Sequence, residues 1–196
     1  MACYGLPRFP CCSFRRTSLR EERAFASSRR AKADAVDGSQ FEQRFDTYRE
    51  HADAIQRLLD ASRGQLSVFD PDLSHCELES AQCVALIERC LLNDGARLRV
   101  VLHDTNFLET RCPRLMRLLG RFSHCFEVRR SPDDLRNLTE CYVLSEPDDG
   151  IVRFHRDWAR GKWFVANPEE AGVWRNRFTQ LWECSVPAVS ATRLGL

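Results

Sequence analysis

The chain has 196 residues, of which 43% are hydrophobic and 29% charged, enough apolar content for a single core. It has no unbroken apolar run of about eighteen residues, which excludes a membrane-spanning helix of the usual kind. The net charge is only +1, but it is unevenly spread: residues 1–32 carry eight basic and two acidic side chains, leaving 21 basic against 26 acidic in the remainder.

Residues 1–40 are rich in Arg, Ser and Ala and show no apolar period. They read as a disordered basic leader before a domain spanning 41–196. The leader lacks the sustained apolar stretch of a secretory signal. The ten cysteines form no Cys-x2-Cys pair. Neither a zinc site nor a disulfide framework is expected, and small buried thiols of a cytoplasmic protein fit the pattern.

From Phe45, apolar side chains recur at Tyr48, Ala52, Ile55, Leu58 and Leu59, the spacing of one helix face that ends near Gly64. Leu66–Phe69 reads as a short strand closed by Asp70-Pro71-Asp72. A second helix is expected over about 78–92 and a buried strand over 97–103. Pro113 opens a third helix with Leu115, Met116, Leu118 and Leu119 inward. Cys125–Arg129 is a third strand, and a helical turn around Asp133–Asn137 leads to a strand at Cys141–Ser145. Pro147-Asp148-Asp149-Gly150 is a tight turn, so Ile151–His155 must return antiparallel. The last helix runs from about Pro168 to Cys184, with Ala171, Val173 or Trp174, Phe178, Leu181 and Trp182 inward. This order predicts an α/β fold: a mixed β-sheet flanked by helices, its early strands parallel.

The final strand, turn, strand and helix, closing in Phe178-x-x-Leu181-Trp182, resemble the C-terminal part of a phospholipase D-like half-domain. Val68-Phe69-Asp70, Cys112-Pro113-Arg114-Leu115, Val128-Arg129-Arg130 and Leu194-Gly195-Leu196, in that order, resemble an uncharacterised bacterial branch of that superfamily. The resemblance covers about residues 45–196. It implies His-x-Lys-x4-Asp on the strand before the turn, where this chain reads Thr139, Cys141 and Glu146. Thr139 has no ring nitrogen to attack phosphorus, Cys141 no fixed positive charge, and Glu146 no imidazole to orient. A half-domain also implies a second half, hence a homodimer.

Several side chains remain as candidates. Arg129, Arg130, Arg153, His155 and Arg156 form a cationic set suited to phosphate oxygens, with Arg160 and Lys162 in the following loop. Strand alternation puts Arg153 and His155 on one face; the competing account is a solvated, charged strand end. Asp70, Asp72 and His75 suit a divalent ion less well than a capping loop. His103-Asp104 ends the central strand, where α/β sheets place binding groups. Trp158, Trp163 and Trp174 with Arg160 could stack nucleotide bases, although core packing is the commoner use. The expected function is a non-catalytic, dimeric phosphate- or anion-binding or regulatory module, with no metal and no cofactor. The alternatives are a divergent phosphodiesterase or nuclease using His103 or His155, and a nucleic-acid binder working through its basic leader.

Overall fold

The computed structural model describes residues 40–189. The leader 1–39 and the Leu194-Gly195-Leu196 tail lie outside the described residues. The chain enters through β1 (Phe41–Phe45), then α1 (Tyr48–Ala61), β2 (Gln65–Asp70), α2 (Ala81–Leu91) and β3 (Arg97–Leu102). Two short helices follow, α3 (Asn106–Arg111) and α4 (Pro113–Arg121), before β4 (Phe126–Arg130) and a 3-10 turn at Asp133–Leu135. The last part is β5 (Cys141–Ser145), β6 (Asp149–His155), β7 (Trp158–Val165), α5 (Pro168–Cys184) and the two-residue β8 (Val186–Pro187).

All eight strands join one mixed sheet in the order β1-β7-β6-β5-β2-β3-β4-β8. Strands β2, β3 and β4 are parallel, as their helical crossovers require, and the others pair antiparallel. Each face of the sheet has its own apolar cluster. Val68, Leu98, Val100, Val128, Val143 and Ile151 meet helices α1 to α4 through Ile55, Leu58, Ile87 and Leu118. On the opposite face Phe69, Val101, Tyr142, Leu144, Val152 and Phe164 meet α5 through Ala171, Phe178 and Leu181. Full burial of such side chains contributes roughly 1.5–3 kcal/mol each.

Local signals account for the boundaries. Thr47 and Glu50 form a reciprocal capping box that starts α1 three residues later than the apolar period alone suggests. Phe41–Phe45, read in sequence as the approach to that helix, is instead an edge strand on β7. Trp158–Val165, expected as a loop around Arg160 and Lys162, is the eight-residue strand β7. Its Gly161 permits the close approach of two neighbours: a Cβ there would lie 2.2 Å from the Val152 carbonyl oxygen and 2.5 Å from the Phe45 ring. In α5, Val173 faces solvent and Trp174 and Trp182 are half-buried, while Phe178 and Leu181 reach the core. The seven cysteines among the described residues are free thiols, five of them buried. None of the helices among the described residues is long and apolar enough to cross a membrane.

Candidate functional site: a buried ion pair beside an exposed hairpin end

The carboxyl ends of β2, β3 and β4 and the amino end of β5 lie together at one end of the sheet. This is where a doubly covered α/β sheet exposes polar groups. Thr139, half-buried, and Cys141, buried, sit at the start of β5; Glu146, exposed, follows its other end. The β5–β6 hairpin sets Cys141 opposite Arg153. The Arg153 guanidinium therefore reaches the Cys141 Sγ at 3.2 Å, so a cation stands beside the side chain that occupies the lysine position of the resembled motif.

Arg153 is not the solvated strand-end arginine expected from sequence. Its side chain is 1% exposed and pairs with Asp70, itself 3% exposed, at 3.0 Å. The carboxylate is well supplied with donors: Oδ1 accepts the backbone N–H groups of Leu73 (2.8 Å) and Asp72 (3.2 Å), and Oδ2 accepts Arg153. These contacts hold the β2–α2 loop, in which Leu73 adopts a left-handed φ of 70° that residues other than glycine seldom take. Asp72 in turn accepts the Ser74 N–H and hydroxyl, while the cap of α2 is Ser80. Burial pushes the Asp70 carboxyl upward, opposed by Arg153 and the two loop amides. Burial also raises the Cys141 and Cys76 thiols, which stay protonated and unreactive. His51 of α1 completes the group. Burial, reinforced by the Arg153 charge, lowers its pKa to about 3, so the ring is neutral. Its Nδ1 and the Arg153 Nε have no hydrogen-bond partner among the described residues.

The other sequence candidates separate. His103 is buried, with Nδ1 2.5 Å from the Ser131 hydroxyl and Nε2 3.3 Å from the Leu138 carbonyl. Burial depresses its pKa, and both ring nitrogens are already engaged. Strand β6 is irregular between Arg153 and His155. The expected shared face is lost, and His155 turns toward solvent and accepts the Asp157 N–H at 3.2 Å. Arg156 lies 3.9 Å from Asp157. Arg129 belongs to the α5 face, where it binds Glu127 (2.7 Å) and the Trp182 carbonyl (3.0 Å), and Arg130 is exposed. The five cationic candidates thus do not form one site.

Of the tryptophans, Trp163 is buried and Trp174 donates to Glu170 at 2.7 Å. Trp158 is 67% exposed and Phe154 46% exposed, at the β6–β7 hairpin end immediately beyond Arg153. They border an open cavity of about 480 Å³ whose walls include His155, Arg160 and Asp46. Arg160 pairs with Asp46 at 3.1 Å in full contact with solvent.

A mixed sheet of this order, flanked by helices, is loosely phospholipase D-like. Nuc from Salmonella typhimurium, described as a phospholipase D family member, matches with a TM-score of 0.56 at 9% identity, over 78% of this chain and 100% of its own. NucT from Helicobacter pylori matches at 0.51 and 7% identity, over 76% and 100%. TrmBL2, described as an archaeal chromatin protein with a novel mode of DNA binding, matches at 0.57 and 10% identity over 86% of this chain. The chain spans 66% of that protein's length. At these identities the likeness is one of fold alone. Among curated proteins no relative matches. Residues 47–194 match the family described as Domain of unknown function (DUF7931), and the chain belongs to that family.

Proposed function

We propose that this domain is a non-catalytic nucleic-acid-binding module on a phospholipase D-like fold, with the β6–β7 hairpin end as its contact surface. The observation that carries the reading is the pair Trp158 and Phe154, two exposed aromatic rings at the rim of an open cavity with His155 and Arg160 in its walls. Exposed rings stack on any base, and neighbouring guanidinium groups follow the backbone phosphates. The DNA-binding description of one structural neighbour favours the same ligand class.

Three features support the absence of phosphodiester cleavage. The motif positions read Thr139, Cys141 and Glu146. The cation nearest to them is committed to Asp70. Of the buried imidazoles, His51 is held neutral by burial and the Arg153 charge, and His103 is hydrogen-bonded on both nitrogens. The basic leader, outside the described residues, would add a salt-dependent contribution to affinity. The homodimer implied by half-domain resemblance is a second use of the same exposed rings.

The test is fluorescence anisotropy of a labelled single-stranded oligonucleotide, with light scattering in parallel. Binding should weaken as salt rises, and Trp158→Ala should cost about 1–3 kcal/mol of affinity, the usual contribution of one stacked base. Unchanged affinity in Trp158→Ala rejects the hairpin surface. A loss of dimer mass without any change in oligonucleotide binding assigns the rings to self-association. Turnover of bis-p-nitrophenyl phosphate that His103→Ala or His155→Ala abolishes would reject the non-catalytic reading.

A further inference from the structure

A second cationic cavity, of about 290 Å³, lies on the α5 face between β3, β4 and the end of α5. Its walls include Arg97, Arg99, Arg129, His124, Glu127 and Trp182. Arg99 sits in the middle of β3, between Leu98 and Val100, both buried. A charged side chain at an interior position of a central strand needs a reason, since its desolvation opposes folding.

The arrangement of the guanidinium groups supplies one. Arg129 lies over the Trp182 ring with its guanidinium carbon 4.1 Å from the ring centre. Arg99 lies 5.6 Å from the same centre and 5.3 Å from that of Phe178. Two cations thus share one indole. Ring contact attracts each of them, and an anion placed between them would offset their mutual repulsion. The protein supplies a single carboxylate in this cavity, Glu127, and it is bound to Arg129 Nε at 2.7 Å. Among the described residues Arg99 has no carboxylate partner: its polar contact there is a long 3.5 Å approach to the Gln65 amide oxygen, and its buried Nε has no hydrogen-bond partner. Arg97, exposed at the mouth, adds a third guanidinium, and His124 contributes an imidazole to the wall.

We propose that this cavity binds a phosphate-bearing anion of about the size of pyrophosphate. In this assignment Arg99 and Arg97 hold the oxygens and Trp182 forms the floor. A guanidinium fork matches two oxygens of one phosphoryl group. The site is separate from the hairpin surface of the proposed function and stands whether or not that surface binds nucleic acid.

The test uses inorganic pyrophosphate and the full chain, read by tryptophan fluorescence and by thermal unfolding. Pyrophosphate should change the tryptophan emission saturably and raise the melting temperature in proportion to occupancy. Sodium chloride at matched ionic strength should do neither. Arg99→Gln should weaken pyrophosphate by at least about tenfold, the loss of one charge-assisted bond. Arg97→Gln, at an exposed position that folding does not need, should weaken it in the same direction and guards against a folding defect in the first variant. An absent response, one reproduced by chloride, or one retained in both variants overturns the assignment. The phosphoryl group could belong to a small molecule or to a polymer. Retained oligonucleotide affinity in Arg99→Gln identifies a small free anion, and parallel loss of both identifies backbone phosphates.

Discussion

Arg153 and Phe154 are neighbours on one strand and live in opposite worlds. The arginine is 1% exposed and locked to Asp70, whereas the phenylalanine is 46% exposed with Trp158 beside it. Sequence hydropathy alone would place them the other way round. The β-irregularity that follows Arg153 separates the two environments. On one side a charge is placed in the core because a buried carboxylate, itself held by two loop N–H groups, receives it. On the other, aromatic surface stays in water, and surface of that kind marks contact with another molecule more often than chance placement does. The comparison shows how one sheet end can bury an ion pair while its rim stays open.

The comparison breaks most sharply at the ion pair. Arg153→Ala should lower stability by about 3–5 kcal/mol in denaturant titration, because it leaves Asp70 buried without its cation. A joint Asp70→Leu and Arg153→Met replacement should recover most of that loss. A cost under about 0.5 kcal/mol for Arg153→Ala would show that the residue is a surface arginine after all.

Acidification probes the same region more gently. His51 has a folded-state pKa near 3, below the 6.5 of the free side chain. The folded state therefore prefers the neutral ring, and the resulting stability is present above pH 6.5 and lost as pH falls toward 3. Between pH 7 and pH 5 the His51 contribution should fall by on the order of 2 kcal/mol. His51→Leu should be correspondingly less sensitive to acid over that range when melting temperatures are compared; identical pH profiles would place the ring in water.

The smallest effect is expected at the rim. Trp158→Ala should change stability by no more than about 0.5 kcal/mol, since the side chain is largely solvated. A large loss in chemical denaturation would move Trp158 from a contact surface into the packing of the hairpin.

Much of the fold was legible from periodicity and turn chemistry. The apolar spacing of α1, α2 and α5 and the buried run Leu98–Leu102 lie where sequence places them, whereas the turn after Ser145 spans Glu146–Asp148, so that Asp149 and Gly150 already belong to β6. β1 and β7 were not legible as strands. Phe41-Glu42-Gln43-Arg44-Phe45 has only its two ends apolar, as befits an edge strand with one face in water, and β7 is interrupted by Gly161, Arg160 and Lys162. Their pairing is set by partners about 120 residues apart, which local pattern cannot report. Sequence singled out Thr139 and Cys141, but the contact that Cys141 makes with Arg153 was overlooked. The signal was present: a tight turn after Ser145 fixes the hairpin register and thereby sets Arg153 across from Cys141. What sequence could not supply was the third partner, Asp70, which comes from a strand lying on the far side of β5. The inward turn of Arg99 and Arg129 onto Trp182 was equally out of reach, because it depends on how α5 crosses the sheet.

The edge strand β1 has a consequence for self-association. It caps β7 through five paired residues from Phe41↔Val165 to Phe45↔Gly161, and Phe41 packs edge-on against Trp163 at 5.3 Å. A chain begun at residue 47 would leave the backbone donors and acceptors of β7 unpaired along its length, next to an uncovered indole. An unprotected edge of that kind is a template for another strand. Such a truncation should form strand-exchanged oligomers or precipitate, whereas in one begun at residue 40 the edge is the five-residue β1, whose Glu42 and Arg44 blunt pairing with another strand.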